Sequence, residues 1–294
     1  MSPAAHFLRR LAGFVRDDGA AALVSVVSAR GSAPREPGAM MAVRKDGSFI
    51  GTIGGGALEH EAQVLARQLA QAAEPATRRI DRALGPDLGQ CCGGRVILEL
   101  RVFTADGLPE LAALAEAAPD RRQPVLICGA GHVGRALALA LAPLPFRVTW
   151  VDSRDDAFPA RLPANVEARI TRDPPGEAAR AEPGALVLIL THDHALDLAI
   201  TAAALRRDDL PFVGLIGSAT KRARFERRLR ELGVQEPRIA SLVCPIGLPG
   251  IGGKEPAVIA ASVAAQLLAE LEALPARHPG LEPGSAADRA ALRL

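Results

Sequence analysis

The sequence predicts a two-domain α/β protein, with a small N-terminal α/β domain followed by a Rossmann-type doubly wound parallel-sheet domain. Three observations carry this expectation. The stretch 124–154, PVLICGAGHVGRALALALAPLPFRVTWVDSR, states a whole βαβ start in order. From there to about residue 271, strand-like and helix-like segments alternate, the pattern of a mostly parallel sheet covered on both faces. The length, 294 residues, suits two domains rather than one.

In the βαβ start, Val125 to Cys128 form an apolar run of strand length. Gly129, Gly131 and Gly134 follow with G-x-G-x-x-G spacing, and Val133 to Leu144 are helix formers ended by Pro145. Gly129 allows a tight turn, Gly131 lets a phosphate approach the backbone, and Gly134 lets helix and strand pack closely. The helix N-terminus then offers free N–H groups to an anion. Asp152 closes the second strand about twenty residues on, where an acid meets a ribose hydroxyl. A Rossmann fold that has kept its glycines and lost its nucleotide reads the same way.

Upstream, residues 1–120 read as the first domain. Phe7, Leu11, Phe14 and Val15 share a helical face, and Leu23 to Ser28 read as a strand. Ala39 to Arg44 and Phe49 to Ile53 flank an Asp46-Gly47 hairpin signal. Helices are expected over 57–73 and 108–117, a strand over 95–103, and a linker over 119–124. In the second domain, 121–274, further strands are expected at 166–170, 185–190, 212–216 and 239–243, and helices over 195–207, 219–232 and 256–271. Residues 275–294 read as a loosely held tail.

Several loops carry polar chemistry. Gly54, Gly55 and Gly56 sit between a strand and a helix, as an anion nest or as a tight turn with Glu59 favouring the helix dipole. Arg30, Ser32 and Arg35 belong to a breaker-rich loop, either as anion contacts or as a solvated surface. Cys91 and Cys92 are adjacent, which disfavours a shared tetrahedral metal and lacks zinc spacing. One exposed thiol there would bind sulfur or a soft metal; the alternative is two small buried residues. His192 and His194 follow a strand as acid, base or ligand, or simply flank a helix cap made by Thr191, Asp193 or Asp197. Lys221 and Arg222 open another helix, as a second phosphate site or as a solvated face with Glu226 and Glu231. The glycine loop 245–256 places Glu255 after Lys254, which departs from a Walker A order and argues against an ATPase.

The net charge of +2 gives no reason to expect nucleic acid or membrane partners. No apolar run of membrane-spanning length stands out, Arg9 and Arg10 interrupt any leader-like start, and four cysteines in this length do not make a disulfide scaffold. A cytoplasmic location is therefore expected.

The motifs GSAPREPGAMMAV, GTIGGGALEHEA and QCCGG, followed by ICGAGHVGRALA, VDSR, LTHDHALD, LIGSATKR and PIGLPGIGGKEPAVIA, resemble the XdhC/CoxI family over nearly the whole chain. The resemblance implies a non-catalytic chaperone of the molybdenum cofactor, molybdopterin. Such a protein holds the cofactor for sulfuration by a cysteine desulfurase and delivers it to the molybdenum-binding subunit of xanthine dehydrogenase. It also implies a homodimer. On this reading the cofactor-binding candidates are Gly54, Gly55, Gly56, Cys91, Cys92, Gly129, Gly131, His132, Gly134, Asp152, His192 and Lys221. The resemblance is weaker at Ala219-Thr220, where family members often carry a more basic loop. Two rivals stand beside it: an NAD(P)-dependent oxidoreductase using Gly129 to Asp152 with His192 or His194 as proton donor, and a scaffold that joins sulfur donor to dehydrogenase without holding cofactor.

Overall fold

The structure is a computed structural model that describes residues 2–84 and 94–274. Cys91, Cys92 and the tail from residue 275 lie outside the described residues. The described chain falls into two compact units that meet in sequence at Asp120 and Arg121.

The first unit is a five-stranded antiparallel sheet. Its strands are β1 (Ala20–Arg30), β2 (Met40–Val43), β3 (Phe49–Gly51), β4 (Thr77–Ala83) and β5 (Arg95–Thr104), in the order β3-β2-β1-β5-β4. Strand alternation splits the core. Ala20, Ala22, Val24 and Val26 face α2 (Gly56–Ala72), while Ala21 faces α1 (Pro3–Asp18) and α3 (Leu108–Ala117). The ends of α1 follow from its sequence: the Ser2 hydroxyl accepts from the Ala5 amide, and Gly19 takes a left-handed conformation after the last turn.

The second unit is a five-stranded parallel sheet. Its strands are β6 (Gln123–Cys128), β7 (Phe146–Asp152), β8 (Val166–Ile170), β9 (Leu186–Ile189) and β10 (Phe212–Leu215). Read across the sheet the order is β8-β7-β6-β9-β10, so the strand order reverses between β6 and β9. That reversal opens a crevice at the carboxyl ends of the strands. One face is covered by α4 (His132–Ala140) and α9 (Pro256–Ala273), which bury Leu137, Val263 and Leu267 against Ile127, Trp150 and Leu188. The other is covered by α5 (Pro174–Ala179), α6 (His194–Leu205), α7 (Ala219–Glu231) and α8 (Glu236–Ala240). The predicted fold class stands.

Four expectations need correction. β4 was not anticipated, and neither was α5. The segment 239–243 is not a strand: Ile239 and Ala240 end α8, and Val243 makes only an isolated bridge to Gly214. Residues 256–273, finally, are long and apolar enough by length and composition to cross a membrane, with a mean hydropathy of 1.3. In the fold that helix packs on α4 and buries Ala260, Val263, Ala264 and Leu267.

Candidate functional site

The crevice has a volume of about 450 Å³, within the range of small-molecule sites. The glycine turn after β6, the Asp152 turn after β7, the 190–192 loop after β9 and Ile216 after β10 line it. The glycines divide the labour as their spacing predicts. Gly129 has φ +118°, and a Cβ there would lie 2.5 Å from the Leu190 carbonyl oxygen. At Gly134 a Cβ would lie 2.2 Å from the Gly129 carbonyl oxygen. Gly131 differs: a Cβ there would meet nothing within 4 Å, because it would point into open space. Gly131 is also the residue before α4, and no side chain caps that helix. By contrast Asp173, Asp193 and Ser218 cap α5, α6 and α7. The start of α4 therefore offers uncapped N–H groups to an anion beside open space, with exposed His132, Arg135, Arg154 and His192 around it.

Asp152 is not open to a ribose. Its Oδ1 accepts from the Arg154 amide and from Arg154 Nε, both at 3.0 Å. Its Oδ2 accepts from the Ala130 amide at 2.7 Å and from Arg154 Nη2 at 3.0 Å. A carboxylate offers about four acceptor positions, and all are filled from within the protein. Asp152 thus ties the glycine turn to Arg154 and cancels its own charge at the crevice. Burial alone would raise its pKa, but the hydrogen bonds from Arg154 and the Ala130 amide outweigh that and hold it at about 2, against 3.8. A carboxyl lowered on folding stabilises above its unfolded pKa, and the contribution is lost as pH falls towards 2. Between pH 5 and 2 the parent should therefore lose about 1–2 kcal/mol more stability than Asp152→Asn. Trp150 is the chain's single tryptophan, and its indole donates to the Gly129 carbonyl. Urea unfolding followed by its fluorescence reads this difference; parallel pH profiles would contradict the assigned pairing.

The loops after β9 and β10 separate the alternatives their sequences leave open. The Asp193 carboxylate caps α6 through the Ala195 and Leu196 amides, so the helix-cap reading holds there. His192 stays exposed at the crevice and His194 begins α6. Lys221, expected at a phosphate, turns inward. Its Nζ donates to Asp197 Oδ2 at 2.6 Å and to the Ile216 carbonyl at 2.9 Å. Asp197 is wholly buried, and its Oδ1 also accepts from the Thr191 amide and hydroxyl. The pair joins the two loops that form one wall of the crevice. Sequence reasoning missed Asp197 as Lys221's partner, although both stand just inside helix starts after neighbouring strands.

In the first unit the glycine loop is likewise filled from within. Glu59 Oε2 accepts from the Thr52 hydroxyl at 2.5 Å and from the Ile53 and Gly55 amides at 2.8 and 3.1 Å. The Gly54 amide donates to the Thr52 hydroxyl. Burial would raise the Glu59 pKa, but these hydrogen bonds outweigh it and lower it. The nest exists, yet its occupant is the protein's own carboxylate, so Gly54 and Gly55 do not present free amides; Gly56 is exposed as the first residue of α2. Two glycines, Gly54 and Gly94, pack against the 30–35 segment here. A Cβ on Gly54 would lie 2.6 Å from Pro34, and one on Gly94 would lie 2.5 Å from the Ser32 carbonyl oxygen. The loop 31–39 lines a depression of about 710 Å³ beside them.

Cys128 is fully buried in β6 and burial pushes its thiol up; Cys244 is buried and raised for the same reason. Neither is a reactive thiolate. Among the described residues no group of three His, Cys, Asp or Glu side chains is arranged to hold a metal.

Two profiles of known families match the chain, each within one unit. A profile of the XdhC Rossmann domain matches residues 125–267, and a profile of the XdhC and CoxI family matches residues 14–81. An uncharacterized Escherichia coli K12 protein, YqeB, is 33% identical over 256 residues, covering 84% of this chain and 43% of YqeB, so the chain spans less than half of that relative. PaoD of the same organism, named as a molybdenum cofactor insertion chaperone, is 27% identical over 253 residues, covering 78% of this chain and 76% of PaoD. A solved Bacillus halodurans structure described as a xanthine dehydrogenase shares the fold. Its TM-score is 0.74 at 21% identity, over 96% of this chain and 98% of that one. With two profiles matched in order, one on each unit, the chain belongs to the XdhC and CoxI family.

Proposed function

We propose that this protein is a chaperone of the molybdenum cofactor. It binds the cofactor, holds it while a cysteine desulfurase exchanges an oxo ligand for sulfur, and delivers it to the molybdenum-binding subunit of an apo-xanthine dehydrogenase. On this proposal it acts in the cytoplasm as a homodimer and turns nothing over. One observation carries the reading: the crevice joins an uncapped helix start to open space at Gly131, with basic and imidazole side chains around it. Molybdopterin bears a phosphate and a polar pterin, and these donors suit both. The family membership and the PaoD likeness support the same reading.

The residues that would hold the cofactor are the α4 amides after Gly131, with His132, Arg135, Arg154 and His192. Asp152 and Lys221 act on them indirectly, the first by orienting Arg154 and the second by holding the Thr191 and Ile216 loops. Asp152 also weighs against the dehydrogenase alternative, because its acceptor positions are closed to the ribose of NAD(P).

The test is bound pterin, measured as its fluorescent oxidised product after anaerobic expression in a host that makes molybdopterin. The parent should retain pterin stoichiometrically. Gly131→Asp should lose at least about tenfold, equivalent to about 1.4 kcal/mol. The new carboxylate would cap α4 and repel the phosphate, while a capping aspartate leaves the helix at least as stable. A parent without pterin refutes the reading, and saturable NAD(P) binding in its place revives the oxidoreductase.

A further inference from the structure

Beside the crevice, on the outer side of the wall tied by Asp197 and Lys221, lies a second cavity of about 420 Å³ between the start of α6 and the face of α7. Its floor is apolar: exposed Ala195 and half-buried Leu198, with the largely buried Phe225 beneath them and Lys221 Nζ 5.3 Å from its ring centroid. Its rim is basic: His194, Arg224, Arg227 and Arg228. The charge on α7 is lopsided, with Lys221, Arg222, Arg224, Arg227, Arg228 and Arg230 against Glu226 and Glu231. Some of these cations are satisfied locally. Lys221 serves Asp197, Arg222 pairs with Glu226 at 2.8 Å, and Arg230 pairs with Glu236 at 2.7 Å. The rim is less well served. Arg227 and Arg228 share the single Glu231, each at 3.6 Å, and Arg224 has no ion pair among the described residues. A positive surplus therefore faces solvent over an apolar floor.

We propose that this groove is a docking site for an acidic segment of a partner protein, with an apolar side chain of that segment seated on Ala195 and Leu198 and carboxylates on the arginine rim. Two features favour a peptide over a compact anion. The Ser218 hydroxyl and the Asp193 carboxylate already accept from first-turn amides of α7 and α6, donors that a bare phosphate would need. The floor also buries apolar surface, which a phosphate cannot use and a leucine-sized side chain can. Charge complementarity on the rim supplies steering and register. The groove abuts the crevice loops at 191–194 and 216–218, so an occupant sits next to whatever the crevice holds. The proposal does not depend on the identity of that ligand.

The probe is a fluorescein-labelled peptide of alternating glutamate and leucine, titrated by anisotropy against the full chain. A twin peptide has every leucine replaced by serine. The parent should bind the leucine peptide, and Arg224→Glu/Arg227→Glu should weaken it at least about tenfold. Arg9→Glu/Arg10→Glu, an equal charge change on the exposed side of α1, should leave it within about twofold. The serine twin should bind several-fold more weakly. Unaltered Trp150 fluorescence certifies folding of Arg224→Glu/Arg227→Glu in the second unit, and an unaltered far-ultraviolet circular dichroism spectrum certifies that of Arg9→Glu/Arg10→Glu in the first. No binding by the parent overturns the proposal. So does equal loss in both charge variants, which signals diffuse attraction, or equal affinity for the serine twin. Displacement by inorganic phosphate or single-stranded DNA at concentrations below those of the peptide also overturns it, in favour of an anion or nucleic-acid site. Bound pterin, assayed in the same preparations, reports separately on the crevice.

Discussion

Lys221→Met is expected to cost the C-terminal unit about 3–5 kcal/mol, the range for removing one partner of a buried ion pair. Asp197 is wholly buried and Lys221 has a side chain only 14% exposed, with Nζ 2.6 Å from the carboxylate. Methionine keeps much of the aliphatic stem and removes the charge. Asp197 is then left with the Thr191 amide and hydroxyl alone, and the Ile216 carbonyl loses its donor. Urea unfolding followed at Trp150 should shift its midpoint down by about 2 M, for a slope of about 2 kcal/mol per molar. The companion Asp197→Asn/Lys221→Met should recover part of the loss, because replacing both partners avoids a stranded charge. An unchanged midpoint in the single variant would mean the pair is not formed. Because Thr191 and Ile216 both line the crevice, the single variant should also retain less pterin than its remaining stability alone would predict.

The βαβ start was legible because every step in it is punctuated. An apolar strand, three glycines at fixed offsets, a helix and a terminal acid leave little freedom of assignment. The elements that escaped reading lack such punctuation. β4 buries only Ile80, and arginines and an aspartate occupy most of its other positions, the composition that keeps an edge strand from aggregating. Its stability comes from β5, which no local pattern announces. At 239–243 the apolar residues suggest a strand, but Pro237 just upstream is a helix-start signal and prevails through Ala240. The pairing of β1 with β5 joins residues more than sixty apart in sequence, so the antiparallel order of the first sheet was beyond a local reading.

For the candidate site, backbone roles were readable and side-chain roles were not. The open space at Gly131 and the close contacts at Gly129 and Gly134 follow from spacing, because glycine acts through what it lacks. Asp152, Lys221 and Glu59 are charged residues at the expected positions, yet each spends its charge inside the protein. Spacing locates a carboxylate along the chain but says nothing about which donors reach it. Lys221 finds Asp197 twenty-four residues earlier, and Glu59 turns back to a loop only a few residues away. A local reading assigns Asp152 to a ribose, Lys221 to a phosphate or solvent and Glu59 to the helix dipole, and sees none of these internal partners.

Gly129→Ala separates the two kinds of glycine. Gly129 has φ +118°, a conformation that side chains rarely adopt, and its new Cβ would lie 2.5 Å from the Leu190 carbonyl oxygen and 2.9 Å from the Thr191 amide nitrogen. The backbone conformation costs about 1–3 kcal/mol and the overpacking about 1–3 kcal/mol more. A combined loss of about 4 kcal/mol should lower the urea midpoint by about 2 M at the same slope as above. The contact is with main chain, so no side-chain rotation can relieve it. Gly131→Ala provides the contrast, since φ is −77° and nothing lies within 4 Å of the added carbon. That variant should unfold within about 1 kcal/mol of the parent, because it lacks both penalties. If Gly129→Ala were as stable as Gly131→Ala, the turn after β6 could not have the described geometry, and the uncapped start of α4 would lose its place in the crevice.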